Sequence, residues 1–484
     1  MIGQSHLAVR LGELTRKLGL NAQVAPLAPM DAEMQTAWQG RHVFAGSAED
    51  PELLHQLEPQ NAQAVLLCSK SDELNLALAL SLRDACAGVR LVISFFNSRM
   101  GMKIERELGN CAVLSSAELS APSFAAAALH DGVLQTVRHG NEHFAFLQSQ
   151  EGDEGPNGID LGSGVRFLPL SRLAGPRPRI RDVPVRASRY LHQARHAADR
   201  YLVGILGGIA GLLALSTTYF RFDQGMSWLS SLYFVVTTFC TVGYGDYSLK
   251  DASDLTKFMG ILLMLSSVTL TAGFFAILTN ALVQKRTDVL EGRRRYRLNN
   301  HVLVCGLGLV GLRITECLRA MGLKVLVIEQ DRSNPMLEEM RAHRVPFMVA
   351  DATLDRTLRI ANLPKVRSVV CAINNDLLDL EIGLAAREIR PDTHLVLRIF
   401  EEAFAQRIQR HFHIHTALSA SSLSAPAFLA KALNPQALSL LELDGQPLLV
   451  SVKAASEGPK PGEIILVEGD SSLVLTPLTS QNQP

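Results

Sequence analysis

The stretch TTFCTVGYGDYS, residues 237–248, sets Gly-Tyr-Gly between two long apolar runs. Residues 201–220 (YLVGILGGIAGLLALSTTYF) carry no charge over twenty positions, and a bilayer core needs about twenty. Residues 258–283 (FMGILLMLSSVTLTAGFFAILTNALV) form a second uncharged run, long enough to span with some tilt. Between them, residues 226–239 (MSWLSSLYFVVTTF) are apolar over only fourteen positions, a length that suits a re-entrant segment better than a span. Bare backbone at membrane depth is tolerated only where protein buries it or where it lines a wet cavity. The carbonyls of 241–245 have such a use if they point inward and replace the water shell of a dehydrated cation. Glycines at 243 and 245 permit the positive φ that aims successive carbonyls at one axis. The Thr241 hydroxyl adds an oxygen ring, Tyr244 packs outward to hold the width, and Asp246 stands at the outer mouth.

Basic residues fix the expected orientation. Arg172, Arg177, Arg179, Arg181, Arg186, Arg189, Arg195 and Arg200 precede the first run; Lys285, Arg286, Arg293, Arg294, Arg295 and Arg297 follow the second. The intervening loop holds only Arg221, Lys250 and Lys257 beside four aspartates. Excess Lys/Arg marks the cytoplasmic side, so both flanks, and hence both termini, are expected inside. Over the whole chain 47 Lys+Arg balance 47 Asp+Glu, which gives no compositional case for a nucleic-acid partner. Seven scattered cysteines without a C-x-x-C pair read as thiols in a reducing compartment, not as a disulfide frame or zinc site. The first thirty residues show no secretory signal.

Residues 201–284 resemble the pore of the two-transmembrane potassium channels, with TVGYGD after a short apolar helix as the specific mark. The resemblance implies K+ held by the backbone carbonyls of Thr241, Val242, Gly243 and Tyr244, one such loop from each of four identical chains. It departs from the pattern in two places. Cys240 stands where threonine is usual, ahead of the filter oxygens. Where relatives carry a hinge glycine the chain reads Ser266-Ser267, with Gly273 further along, so Ser267 and Gly273 are both hinge candidates. No arginine ladder lies inside the membrane to carry voltage sensing.

After the pore, HVLVC (301–305) reads as a strand that runs into Gly306-Leu307-Gly308-Leu309-Val310-Gly311, a helix, and a second strand ending at Glu329. Gly306, Gly308 and Gly311 allow a tight turn, close approach of a pyrophosphate and close helix–strand packing; Glu329 stands where an acid meets a ribose hydroxyl. The alternative is a Rossmann fold that keeps its glycines for packing alone. Further strands near 345–349, 369–372 and 395–399 make this a doubly wound parallel sheet. Residues 301–433 resemble the regulator-of-potassium-conductance domain, a TrkA-N-type ligand module. That resemblance places Asp351 near the adenosine, against a competing role as helix cap; Asn374 and Asp376 default to loop or capping roles. NAD(H), ATP, ADP and AMP all fit such a loop as regulatory ligand.

A second copy precedes the pore. LSSAELSAPSFAAAAL (114–129) and LSASSLSAPAFLAKAL (418–433) agree at ten of sixteen positions, and the same offset of 304 aligns Asp72 with Asp376. A one-residue gap sets Gly3 on Gly306 and Gly19 on Gly322. Such similarity means duplicated domains. The first copy has lost its chemistry: Ser5 and Ala8 face Gly308 and Gly311, Ala25 lies near the place of Glu329, and Ser47 is opposite Asp351. Its first strand looks nearly absent.

The expected plan is multidomain: an all-α two-helix pore flanked by two α/β Rossmann-like domains with a short β-rich C-terminal segment. By residues it runs 1–150 degenerate copy, 151–198 Gly/Pro-rich then basic linker facing anionic lipid headgroups, 199–286 pore, 287–434 competent copy, and 435–484 an abbreviated C-terminal subdomain. Four chains supply eight such domains, the family's count for a gating ring, with degenerate copy paired on competent copy through the S-A-P-x-F-x-A helix. The function expected is a ligand-gated potassium channel of the inner membrane and not an enzyme. The rivals are a regulatory subunit of a potassium transporter, which leaves TVGYGD unexplained, and a membrane-anchored NAD-dependent oxidoreductase, for which no motif places an acid/base residue.

Overall fold

The computed structural model describes residues 1–27, 29–44, 57–148, 158–174, 198–290, 298–412, 414–454, 462–467 and 471–478. Two units result, Met1–Pro178 with Arg295–Pro484, and Arg179–Arg294.

In the first copy, Met1–Gly3 fill the first-strand position by single bridges. Ile2 pairs in parallel with Leu67 on one side and Ala25 on the other, and Val24 pairs with Val43. The segment is too short for a ladder, yet Ile2 donates to the Leu66 carbonyl and accepts from Cys68 N–H, both at 2.9 Å. The remaining elements are α1 (His6–Lys17), α2 (Ala32–Ala37), β1 (Ala64–Leu67), α3 (Asp72–Ala85), β2 (Arg90–Ser94), α4 (Ser98–Leu108), β3 (Cys111–Leu114) and α5 (Ser116–Ala127). Strands β1, β2 and β3 pair in parallel, so this sheet keeps the Rossmann order, its first positions joined by single bridges.

Part of the expected linker is folded. Strands β4 (Val133–His139), β5 (Glu142–Gln148), β6 (Ile159–Asp160) and β7 (Val165–Pro169) form an antiparallel sheet of order β4-β5-β7-β6, closed by α6 (Leu170–Leu173). Thus residues 158–174, read from their glycines and prolines as linker, belong to the first copy. Val165, Phe167 and Leu168 are buried, and this apolar face outweighs the local turn signals. The basic stretch 175–197 lies outside the described residues.

The membrane unit holds α7 (Ala198–Asp223), α8 (Trp228–Phe239) and α9 (Asp254–Leu290). Helices α7 and α9 are long and apolar enough to cross a membrane, and only 11% of each apolar window is buried, so neither is the core helix of a soluble domain. Ser227 caps α8 by accepting from Ser230 N–H at 3.1 Å. Phe220, Phe234, Val235 and Leu263 pack the three helices together, with Phe220 edge-on to Phe234 at 5.0 Å.

The second copy is complete. It comprises β8 (His301–Cys305), α10 (Leu309–Ala320), β9 (Val325–Glu329), α11 (Met336–Ala342), β10 (Phe347–Val349), α12 (Asp355–Ile360), β11 (Val366–Cys371), α13 (Asp376–Ile389), β12 (His394–Arg398), α14 (Glu402–Phe412), β13 (Thr416–Leu418) and α15 (Ala420–Leu433). The parallel sheet runs β10-β9-β8-β11-β12-β13, so the order reverses between β8 and β11, where open α/β sheets bind ligands. Strands β14 (Ala437–Leu443), β15 (Gln446–Ala454), β16 (Ile464–Val467) and β17 (Ser471–Pro477) repeat the order of β4 to β7. The C-terminal segment is therefore a full counterpart of the first copy's sheet, and the two sheets share a core of Phe144, Phe146 and Phe167 against Leu441, Val450 and Leu473.

The copies interlock by exchanging helices. Phe124 and its alanine neighbours on α5 enter the core that holds Val302, Val304 and Leu307 of the second copy. Phe428 and Leu429 on α15 enter the core of Leu7, Leu11 and Trp38 in the first. Small residues and a proline at matched positions, Pro122 and Pro426, let the two helices approach closely.

Candidate functional site

In the membrane unit the short helix hands its C-terminus to residues 241–246, the segment expected to form the filter. The Thr237 carbonyl accepts from both Val242 N–H (2.9 Å) and Gly243 N–H (3.3 Å). Beyond it φ is positive at Thr241 (57°), Gly243 (51°) and Gly245 (81°). Positive φ at every second residue alternates the backbone's handedness, the condition for consecutive carbonyls to face one side. Glycine adopts it freely; Thr241 is a non-glycine in the left-handed region, the kind of strain that collects at functional sites. Thr256 Oγ1 donates to Asp223 at 2.8 Å to join the outer ends of the two spans. Val242 is 50% and Tyr244 73% exposed in the single chain. Cys240 caps the pore helix ahead of the filter oxygens. The hinge candidates sit in unbroken helix: Ser267 Oγ donates to the Met264 carbonyl at 2.8 Å, and a Cβ at Gly273 would come within 3.3 Å of Ile205.

In the second copy the three glycines separate by cause. Gly306 has φ +96°, and a Cβ there would lie 2.8 Å from Ile373. A Cβ on Gly311 would lie 2.1 Å from the Gly306 carbonyl oxygen, so this glycine serves helix–loop packing. A Cβ on Gly308 would meet nothing within 4 Å. Gly308 is also the N-cap of α10 with no side-chain cap, which leaves an open, donor-rich helix start suited to a phosphate. Glu329 accepts from Leu307 N–H (2.8 Å), Asp331 N–H (2.8 Å) and Asn334 Nδ2 (3.1 Å). That fills three of about four acceptor positions on a carboxylate and leaves room for a ribose hydroxyl. The residues fit a nucleotide.

Asp351 accepts from Thr353 N–H (2.9 Å) and Thr353 Oγ1 (2.7 Å), a turn-holding role at the end of the β10 edge. Asn375 caps α13. Asp376 accepts from Phe400 N–H at 3.1 Å, as Asp72 does from Phe96 N–H at 2.8 Å in the first copy, so both aspartates brace the next strand end. Asn334 was not legible as a site residue; it bridges the Leu307 carbonyl and Glu329, and an asparagine in a polar turn carries no distinguishing signal.

The first copy has rebuilt the same place. Ser5 caps α1 by accepting from Ala8 N–H (3.3 Å) and donates to the Cys68 carbonyl (2.7 Å), occupying the helix start that Gly308 leaves open. Gly3 N–H bonds the Ala25 carbonyl as Gly306 N–H bonds that of Ile328, so Pro26, one residue on from Ala25, holds the position equivalent to Glu329. Ser47 lies outside the described residues.

Comparison with known proteins agrees with this layout. The TrkA-N domain family matches residues 30–116 and 302–420, and the ion channel family matches residues 208–284. Potassium channel protein 1 of Methanocaldococcus jannaschii is 25% identical over 202 residues, 39% of this chain and 57% of that protein. The putative potassium channel protein YugO of Bacillus subtilis is 26% identical over 197 residues, 39% of this chain and 58% of that protein. The match thus spans under two thirds of either relative. Among solved structures, the GsuK channel superposes with a TM-score of 0.51 at 15% identity, covering 99% of this chain and 76% of that one, a likeness of fold. The first TrkA-N match starts at residue 30, past the altered loop.

Proposed function

We propose that this chain is the subunit of a potassium-selective membrane channel, opened or closed by a nucleotide bound to the second of its two TrkA-N domains. The alternating positive φ at 241, 243 and 245 carries the reading: a backbone held this way inside a membrane segment serves to coordinate a bare cation. The exposed flanks of Val242 and Tyr244 are the surfaces that neighbouring copies cover when four loops surround one axis. The termini face the cytoplasm, and each chain contributes an interlocked domain pair to a ring of eight. Against the catalytic rival, Glu329 and Asp351 already accept hydrogen bonds from Leu307 N–H and Thr353 N–H.

Helix α9 runs to Leu290 and β8 starts at His301, so a short connection carries any change in the ligand domains to the inner helices. Moving the gate from 1:99 to 99:1 takes about 5.5 kcal/mol. Shared by one competent cleft per chain in four chains, this is about 1.4 kcal/mol each, or tenfold differential affinity per site. Reconstitution into liposomes with a potassium gradient tests the reading. Flux that changes when NADH, ATP, ADP or AMP is supplied on the domain side supports it. Intact nucleotide binding without flux would instead favour a transporter subunit, and NADH turnover an oxidoreductase.

A further inference from the structure

The two copies provide an internal control for one buried acid. In the first copy Asn75, fully buried, is saturated: Oδ1 accepts from Ser69 N–H at 3.0 Å, and Nδ2 donates to the carbonyls of Ser94 (2.8 Å) and Ser69 (3.3 Å). The repeat offset puts Asp379 at this position, with Ile373 for Ser69 and Arg398 for Ser94. Asp379 is also fully buried, and its Oδ1 accepts from Ile373 N–H at the same 3.0 Å. Its second oxygen has no hydrogen-bond partner among the described residues. Where Asn75 offers an N–H₂ to two carbonyls, an ionised Asp379 offers only lone pairs to their counterparts. A protonated carboxyl supplies the missing donor.

We infer that Asp379 is a proton-binding site in the second copy, neutral in the folded domain, whose ionisation loosens the turn from β11 into α13. That turn includes Ile373, the residue against which Gly306 packs, so it walls the cleft assigned to the nucleotide. The proton site stands on its own geometry, while its effect on gating rests on that assignment. Burial is the main cause that raises the Asp379 carboxyl to about 8; the Ile373 N–H and the Arg398 guanidinium pull it back, and Asp376 pushes it further up. From the sheet, Cys371 on β11 and its pairing partner Cys305 on β8 lie close by. Arg398 stacks over Phe400 at 4.6 Å and makes no hydrogen bond to either aspartate among the described residues.

The sign is definite. An exposed aspartate titrates near about 3.9, so between roughly pH 4 and 8 the closed turn holds a proton that the opened turn has released. The opening constant therefore rises about tenfold per pH unit in that window and levels off above about 8. Hydrogen exchange of residues 372–378 in the full-length protein, wild type against Asp379→Asn at each pH, reads this directly, because intrinsic exchange cancels in the ratio. The expected result is wild-type protection that falls relative to the variant from about pH 5 to 8 and then stays level. The reciprocal variant Asn75→Asp, in the first copy, should confer the same dependence on residues 68–74. A ratio flat with pH would overturn the inference, as would one that follows Na⁺, K⁺ or Mg²⁺ concentration at fixed pH, the sign of a bound cation in place of the proton.

Discussion

At Gly308 an added side chain enters open space, whereas at Gly311 it strikes the Gly306 carbonyl at 2.1 Å. The two substitutions should therefore separate binding from folding. Gly311→Ala is expected to lower the stability of the cytoplasmic unit by about 1–3 kcal/mol, while Gly308→Ala leaves it unchanged, both measured by denaturant unfolding. In the proposed cleft, Gly308→Asp places a charge at the helix start assigned to a phosphate, and Glu329→Ala removes the acid assigned to a ribose hydroxyl. Both should abolish the thermal shift given by adenine nucleotides, and a response retained in both variants would reject the cleft. His301 makes a separate prediction. It is fully buried, its Nε2 bonds the Ala361 carbonyl at 3.1 Å, and burial pushes it down to about 4. The unfolded chain takes up a proton below about pH 6.5 that the fold refuses. Stability should thus fall as pH drops from about 6.5 to 4, by up to tenfold per unit in the folding constant, and His301→Gln should remove that part of the acid sensitivity. Such roles were only partly legible in the sequence. Spacing singled out Gly306, Gly308, Gly311 and Glu329, yet the contacts of Glu329 with Leu307 and Asn334 depend on how a loop folds back, which no spacing encodes.

Among the elements, the exchanged helices α5 and α15 make the strongest case. Phe124 and Phe428 are each fully buried in the other copy's core. Truncating either to alanine should cost about 3–5 kcal/mol and lower one shared unfolding transition. Two separate transitions, of which each variant moves only one, would contradict interlocking. The duplication was readable because these helices keep their small residues for close packing. The sheet β4 to β7 was not, because its short strands are bounded by the glycines and prolines that also mark linkers; only the alternating burial of Val133, Gln135 and Val137 reveals the covered face. Nor could the sequence show that Met1–Gly3 do a strand's work, since a single bridged residue leaves no periodicity. In the membrane unit Gly273 faces Ile205. Gly273→Leu should push α7 and α9 apart and destabilise the pore by about 1–3 kcal/mol, read as loss of the assembled species in detergent, with Gly273→Ala close to neutral.

For the molecule as a whole, one reduced and three complete sheets make up a locked pair of domains, beside a membrane unit whose residues 242 and 244 are exposed in the single chain. In the first copy Ser5 caps the helix start that Gly308 leaves open in the second, and Pro26 takes the position equivalent to Glu329, while the helices that pair the copies are retained. The proposed function then implies one nucleotide cleft and one filter strand per chain. The decisive measurement is the reversal potential of the purified full-length protein in a planar bilayer with potassium on one side and sodium on the other. Conduction through main-chain oxygens at 241–245 predicts a reversal potential that follows the potassium gradient and a current that disappears in Gly243→Asp. A current that does not distinguish the two ions, or that survives Gly243→Asp unchanged, would contradict it.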